Sequence, residues 1–153
     1  MIVEPCLEHI FSADLLLASE MIGPVTEGIR INFHVVSGEV TGPKFQGKFH
    51  PVGGDWLIFH SNGVATLDIR VTIETTDGAL IYSAVTAVLD AGEGGYEQFV
   101  RQKPPRGALR GASRHSSSHP NYLWLNRLQF AGFGEVNLVP GHAKICFDFY
   151  ALR

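Results

Sequence analysis

Cysteine is scarce in this chain, and its placement supports neither a zinc site nor a disulfide framework. The 153 residues include two cysteines, Cys6 and Cys146, near opposite ends of the chain, so no Cys-x-x-Cys pair exists. Long apolar runs are missing too, because no stretch reaches the ~18 residues that span a bilayer. The first ten residues carry Glu4 and Glu8 where a signal peptide needs positive charge. We therefore expect a cytoplasmic protein without a membrane partner.

Motifs for nucleotides and metals are also absent from the sequence. Gly53-Gly54 and Gly92–Gly95 are followed neither by the Lys-Ser/Thr of a P-loop nor by a Rossmann spacing, and no Gly-x-Ser-x-Gly occurs. Seven histidines form no His-x-His or His-Glu-x-x-His pattern. The single i, i+4 pair, His115 and His119, lies in a serine-rich segment that does not look helical. We expect no cofactor and no metal.

The formal net charge of −3 hides an uneven distribution along the chain. Residues 1–100 carry 13 acidic and 4 basic side chains, whereas residues 101–153 carry 2 acidic and 8 basic ones. Residues 101–120 combine proline, glycine and serine with five of the basic residues: Arg101, Lys103, Arg106, Arg110 and Arg114. This composition predicts a long basic loop, either a lid over an anionic small molecule or a solvated disordered segment. It lacks the interleaved aromatics of a nucleic-acid patch, so we expect no nucleic-acid partner.

Alternation of apolar and polar residues is the dominant pattern. The runs 55–60, 64–75 and 79–90 are separated by Asn62-Gly63 and Asp77-Gly78, whose positive φ angles suit tight turns. These three runs predict an antiparallel meander. The run Ile29–Val35 alternates as clearly and predicts another half-buried strand. Weaker patterns predict further strands at Val3–His9, Leu15–Met21, Gly38–Val40, Phe45–Phe49, Tyr122–Phe133 and Ala143–Leu152.

About nine short strands therefore predict an all-β protein with a single domain over residues 1–153. Helical spacing is confined to Glu93–Gln102, which predicts one short helix. A closed antiparallel β-barrel is favoured over a sandwich because closure removes the exposed strand edges that invite aggregation.

Several sequence blocks, in a fixed order, resemble one known family. They are Gly38-x3-Gly42-Pro43-x3-Gly47, Pro51–Trp56, Leu67–Arg70, Thr76–Tyr82 and Tyr122–Arg127. On these blocks nearly the whole chain is similar to the family called domain of unknown function 3237. The resemblance implies a closed, calycin-like antiparallel β-barrel. Most members have no assigned reaction, and some resemble accessory enzymes of catabolic or secondary-metabolite pathways.

Four side chains on the meander suggest acid–base chemistry. Asp68 and Arg70 share one face of a strand, Asp55 opens the preceding strand, and Tyr82 lies in the next one. We predict that Asp55 or Asp68 moves a proton while Arg70 and Tyr82 stabilise developing oxyanion charge in the barrel mouth. Two nearby carboxyl groups with different pKa values would supply an acid and a base near neutral pH. The alternative is a solvent-facing ion pair between Asp68 and Arg70.

Aromatic and polar side chains are candidates for binding the substrate. Tyr122, Trp124 and Asn126 share one face of their predicted strand, and Trp56 and His34 lie on other strands. Facing inward, the aromatic rings would form an apolar wall and the amide would offer both a donor and an acceptor. The alternative is a packed aromatic core containing one satisfied amide.

These features together predict a barrel that binds a partly apolar, oxygen-rich metabolite, aromatic or carrying carboxylate or carbonyl groups. The predicted activity is that of a cofactor-independent lyase, isomerase or cyclase, since acid–base catalysis supplies a ~10²–10⁴-fold acceleration. One alternative is a non-catalytic carrier or sensor of a small hydrophobic ligand. Another is a structural protein with a filled barrel. A homodimer is also considered, because small barrels pair through exposed strand faces.

Overall fold

Eight antiparallel strands close into a barrel in the computed structural model of the chain, which describes residues 2–101, 103, 106–139 and 142–153. Each strand pairs with the next along the chain, and the last pairs with the first. The predicted closed antiparallel barrel is thus confirmed. The strands are β1 (Leu7–Val25), β2 (Gly28–Thr41), β3 (Gly47–Phe59), β4 (Val64–Thr75), β5 (Leu80–Asp90), β6 (Arg106–Ser116), β7 (Phe130–Val139) and β8 (His142–Leu152).

Two short helices lie at opposite ends of the barrel. The helix α1 (Gly95–Val100) connects β5 to β6, and its Phe99 ring stacks on that of Phe59 with 5.0 Å between centroids. A 3₁₀ helix (Pro120–Arg127) connects β6 to β7 and buries Leu125 against the core. No helix in the described part of the chain is long and apolar enough to cross a bilayer.

Apolar side chains fill the inside of the barrel. On β4, for example, Leu67, Ile69 and Val71 are all less than 5% exposed, while the residues between them face outward. A cavity of about 10 Å³ remains in the middle, beside Phe11 and His115. That volume is close to the least that holds one water molecule. The core around Phe11 and His115 therefore leaves no room for a metabolite at this level of the barrel.

The barrel has eight strands and not about nine because some pairs of predicted short strands form one longer strand with an irregular position inside it. The predicted strands Val3–His9 and Leu15–Met21 merge into the single strand β1. In β3, the pairing with β4 shifts between Phe49 and Gly53, and Gly53 has a φ of 78°, which suits glycine. This bulge lets one strand contain both of the predicted runs on either side of it.

The loop predicted for residues 101–120 is wrong over Arg106–Ser116, which form β6. The inward-facing positions of β6 provide one large apolar side chain, so hydrophobic alternation does not reveal the strand. Its arginines alternate outward, as in any half-buried strand. Residues 102, 104 and 105 lie outside the described part. The inward set is Gly107, Leu109, Gly111, Ser113 and His115.

The strand predicted over Tyr122–Phe133 is also wrong in its first half, which forms the 3₁₀ helix. Pro120 begins that helix with a fixed φ, and the His119 side chain accepts a hydrogen bond from the backbone N–H of Asn121 at 3.1 Å. These two local features outweigh the alternation. The predicted helix over Glu93–Gln102 is present in the shorter form of α1.

Candidate functional site

A groove crosses the outer face of the barrel over β4, β5 and β6. Trp56 on β3 and Arg110 on β6 stand at its two sides, and its volume is about 590 Å³. Between them the outward-facing side chains are short, which makes the depression. We call this feature the Trp56 groove, and it is lined by Trp56, Thr66, Leu67, Asp68, Thr86, Ala87, Val88, Arg110, Gly111 and Ala112.

Asp55 lies in the barrel wall immediately before Trp56. Its side chain is 1% exposed and starts on the inner face, level with Phe33 and Ile69 on the neighbouring strands. Its Oδ1 accepts a hydrogen bond from the backbone N–H of Asp68 at 3.1 Å. The paired positions of β3 and β4 skip two residues of β3 at this point. The Asp55 carboxyl group thus accepts a β4 backbone hydrogen bond that a β3 carbonyl would accept in a regular sheet, next to the groove.

Burial changes the acid–base behaviour of Asp55. It raises the pKa of the carboxyl from 3.8 to about 7; the hydrogen bond from the Asp68 N–H opposes this rise, and the negative charge of Asp68 adds to it. Oδ2 is buried and has no hydrogen-bond partner in the part of the chain that the structure describes. Near neutral pH both protonation states are therefore populated, as a general acid or base requires.

A second unpartnered atom lies on the other side of Trp56. Asn32 is the cross-strand neighbour of Trp56 on β2, and its Oδ1 is also buried without a partner among the described residues. Leaving a buried polar atom unpaired costs about 1–3 kcal/mol, so such atoms call for an explanation. Both atoms belong to residues next to Trp56: Asp55 precedes it on β3, and Asn32 lies across from it on β2.

Asp68 and Arg70 face outward from β4, because the apolar residues of that strand occupy the interior. Their side chains are about half exposed, 48% and 59%, and Arg70 Nε lies 3.4 Å from Asp68 Oδ1. The placement of both in the barrel mouth is therefore wrong, and the solvent-facing ion pair is the arrangement found. Asp68 lines the Trp56 groove, whereas Arg70 is not among its lining residues.

Tyr82 and His34 lie on the outer surface, outside the groove. Tyr82 is 47% exposed on β5 and pairs with Thr72, four residues along β4 from Asp68. His34 Nε2 lies 3.7 Å from a carboxylate oxygen of Glu20 on the surface of β2 and β1. The structure therefore does not bring these two side chains to Asp55.

Tyr122 and Trp124 lie at the end of the barrel, on the 3₁₀ helix. The Tyr122 hydroxyl donates to Asp77 Oδ1 at 2.7 Å, and Trp124 Nε1 donates to the backbone oxygen of Asn121 at 3.0 Å. Lys44 Nζ lies 4.9 Å from the centroid of the Trp124 ring, a cation–π contact. These groups are satisfied within the chain and do not line the Trp56 groove.

Asn126 joins the 3₁₀ helix to the end of β6. Its Oδ1 accepts from the backbone N–H of Ser117 at 2.9 Å, and its Nδ2 donates to the Ser117 carbonyl at 2.8 Å. We predict that Asn126→Ala lowers the free energy of unfolding by about 2 kcal/mol, because both backbone groups lose their partner. Urea unfolding measures this, with Asn121→Ala as the control. Unchanged stability would contradict the structural role of the amide.

Comparison with known proteins places the chain in a family. A family model described as "Protein of unknown function (DUF3237)" matches residues 5–152. The chain belongs to the DUF3237 family. A UPF0311 protein of Rhodopseudomonas palustris (strain TIE-1) is 32% identical over 118 residues, which cover 72% of this chain and 74% of that relative. The resemblance seen in the sequence blocks is thereby confirmed.

Solved structures share the barrel of this DUF3237 protein. The crystal structure of a protein with unknown function from Clostridium acetobutylicum ATCC 824 has a TM-score of 0.85 and 24% identity, covering 98% of this chain and 100% of that one. The crystal structure of an enzyme from Penicillium herquei has a TM-score of 0.69 and 20% identity, covering 100% and 98% respectively. At such identities these similarities show the fold alone.

His115 is a buried polar residue of the DUF3237 barrel that the sequence did not reveal. Its Nδ1 lies 2.7 Å from Ser83 Oγ and its Nε2 lies 2.9 Å from Ser113 Oγ, in the midst of three phenylalanine rings. Burial lowers the pKa of the imidazole from 6.5 to about 3, so the ring is neutral. The sequence analysis assigned His115 to the predicted loop over residues 101–120. Recognising β6 as a strand would have placed it inside.

The sequence analysis also missed two residues in or beside the Trp56 groove, Asn32 and Arg110. Arg110 was assigned to the loop, but it stands on β6 with its guanidinium 5.3 Å from the centroid of the Phe133 ring. Asn32 carried no motif, and only its pairing with Trp56 draws attention to it. Within the described ranges, no group of three or more His, Cys, Asp or Glu side chains is placed to hold a metal ion.

Proposed function

We propose that this protein is an enzyme that acts on a small, partly apolar, oxygen-rich metabolite by acid–base chemistry, as a cofactor-independent lyase, isomerase or cyclase. The observation that carries the proposal is Asp55, a buried carboxyl group with a pKa of about 7 and an unpartnered Oδ2, adjoining an open groove. A group poised near neutral pH is suited to give and take a proton in a catalytic cycle.

Several residues in the groove or adjoining it have distinct parts in this proposal. Trp56 offers an indole face, 41% exposed, on which an apolar or aromatic portion of the substrate stacks. Arg110 or Arg70 binds a carboxylate or carbonyl oxygen. Asp55 Oδ2 transfers the proton, which requires it to meet the substrate through the interrupted ladder between β3 and β4. Asp68 supports Asp55 through its backbone N–H.

Two further observations bear on the choice between an enzyme and a carrier. The Penicillium herquei protein with this fold is described as an enzyme, which supports catalysis on such a barrel. The groove floor includes the apolar Leu67, Ala87 and Val88, which equally favour simple binding of a hydrophobic ligand. A carrier is therefore the second candidate, and Asp55 distinguishes the two.

The test combines ligand binding with turnover in Asp55→Asn. A thermal-shift screen of aromatic and dicarboxylic acids finds compounds that raise the melting temperature, and NMR then follows their conversion. We expect the variant to bind as the wild type does but to lose turnover by ~10²-fold or more, since proton transfer is removed. Asp14→Asn, at an exposed position of β1 outside the Trp56 groove, is the matched control. Equal turnover in Asp55→Asn would overturn the proposal, and binding without turnover in the wild type would favour the carrier.

A further inference from the structure

Two arginines stand at the same height on the outer wall, on the two strands that flank β5. Arg70 on β4 pairs with Ala84 on β5, and Ala84 in turn pairs with Arg114 on β6. All three residues lie on the outward side of their strands. Because neighbouring strands are about 4.8 Å apart, the backbones of the two arginines lie about 10 Å from each other. We call Arg70 and Arg114, with Ala84 between them, the arginine clamp.

The arginine clamp and the side chains bonded to it carry an excess of one positive charge. Arg70 Nε lies 3.4 Å from Asp68 Oδ1, so this carboxylate offsets one of the two guanidinium charges. Arg114 Nη2 donates to the Asn126 carbonyl at 3.0 Å, which is an uncharged partner. A guanidinium group has five N–H donors, so both arginines retain donors for a further acceptor.

Uncharged side chains of β5 lie beside the clamp. Tyr82 and Thr86 are each two residues from Ala84 and share its outward side. The Tyr82 side chain is 47% exposed and carries a hydroxyl that can donate to an oxygen anion. These three outer positions of β5 carry no carboxylate, so an anion that enters between the arginines is attracted by both guanidinium groups.

The clamp adjoins the Trp56 groove along all three strands. Asp68, Thr86 and Ala112 line the groove, and each lies two residues from a clamp residue on the same strand and the same face. Two residues of a strand span about 7 Å, so a molecule with its apolar part in the groove can place another group at the clamp. The Asp68 carboxylate repels an anion from the groove itself, which favours the clamp as the place for a negative group.

We infer that the arginine clamp binds the carboxylate of the substrate, and that the substrate is an apolar or aromatic acid whose carboxylate lies about 7 Å from the part in the Trp56 groove. Arg70 and Arg114 donate charge-assisted hydrogen bonds to the carboxylate oxygens, and Tyr82 lies beside them as a further donor. The inference rests on the proposed function, because it takes the Trp56 groove as the substrate site. It does not depend on the proton transfer assigned to Asp55.

Titration with 3-phenylpropanoate, which joins a ring to a carboxylate through a short flexible chain, tests the clamp. Its dissociation constant, measured from NMR amide shifts, should be ~10-fold lower than that of the uncharged 3-phenylpropanamide. Arg70→Gln and Arg114→Gln should each weaken binding of the acid ~10-fold and leave binding of the amide unchanged. Arg106→Gln, at another outward position of β6, is the matched control and should bind the acid as the wild type does.

Added salt provides a second measurement, because it should weaken binding of the acid and not that of the amide. Equal affinity for the acid and the amide would overturn the inference. Acetate binding as tightly as 3-phenylpropanoate would overturn it too, since the ring would then play no part. So would a loss of binding in Arg110→Gln with no loss in either clamp variant. Normal turnover in Asp55→Asn, with binding weakened in both clamp variants, would instead refute the catalytic proposal and leave the clamp intact.

Discussion

Asp55→Asn should remove a contribution that lowers the stability of the barrel as the pH rises from about 4 to about 7. The pKa of Asp55 is about 7 in the folded chain against 3.8 for the free carboxyl group, so the folded state binds more protons in this range. The contribution of Asp55 to the free energy of unfolding therefore falls as the pH rises. At about 1.4 kcal/mol per pKa unit, the fall amounts to about 4 kcal/mol.

Urea unfolding at a series of pH values measures this effect. The asparagine keeps an oxygen that accepts from the Asp68 N–H, so the packing changes little while the titration disappears. Asp14→Asn, at an exposed site, should follow the wild-type curve. Parallel curves for wild type and Asp55→Asn would show that Asp55 does not titrate near neutral pH. A carboxyl group retained at a cost in stability is what a functional site commonly contains.

His115→Phe should produce the opposite change in the pH dependence. The neutral imidazole has a pKa of about 3 in the core against 6.5 when exposed, so the unfolded chain binds more protons between these values. The contribution of His115 is complete above pH 6.5 and is lost as the pH falls towards 3. The loss in the wild type amounts to about 5 kcal/mol.

The pH dependence of the free energy of unfolding measures the role of His115. Its absolute value does not, because the substitution also lowers the stability by an amount that does not depend on pH. Ser83 and Ser113 lose their imidazole partner, which lowers the stability of the variant at every pH. The exposed His34, changed to glutamine, is the control. If the stability of His115→Phe followed the same pH dependence as that of the wild type, the imidazole would not be neutral in the core.

The two buried groups act in opposite directions over the range from about pH 4 to about pH 6.5. Their contributions nearly cancel in the wild type, because each departs from its free value by about three pKa units. Asp55→Asn should therefore be more stable at pH 6.5 than at pH 4, and His115→Phe less stable. The variant that carries both substitutions should again show little pH dependence of its stability between about pH 4 and about pH 6.5 from these two sites.

Much of the barrel could be predicted from local patterns. In the meander of β3 to β5, alternating apolar residues and the Asn62-Gly63 and Asp77-Gly78 turns specify both hairpins, and they place β4, β5 and the end of β3 within a residue of their observed limits. β6 could not be found in this way. Its inward positions are mostly glycine, serine and histidine, so only the surrounding strands show that they face a core.

For the candidate site, too, some features follow from the local sequence and others depend on the tertiary structure. The sequence by itself determined that Asp55, Trp56 and Asp68 stand on adjacent antiparallel strands, because turn chemistry and alternation act over a few residues. Only the tertiary structure decided that Asp68 faces water, that Asp55 lies buried with one oxygen unpaired, and that Arg110 completes the groove. Burial and hydrogen-bond partners depend on residues far apart in the chain, which meet only when the sheet closes.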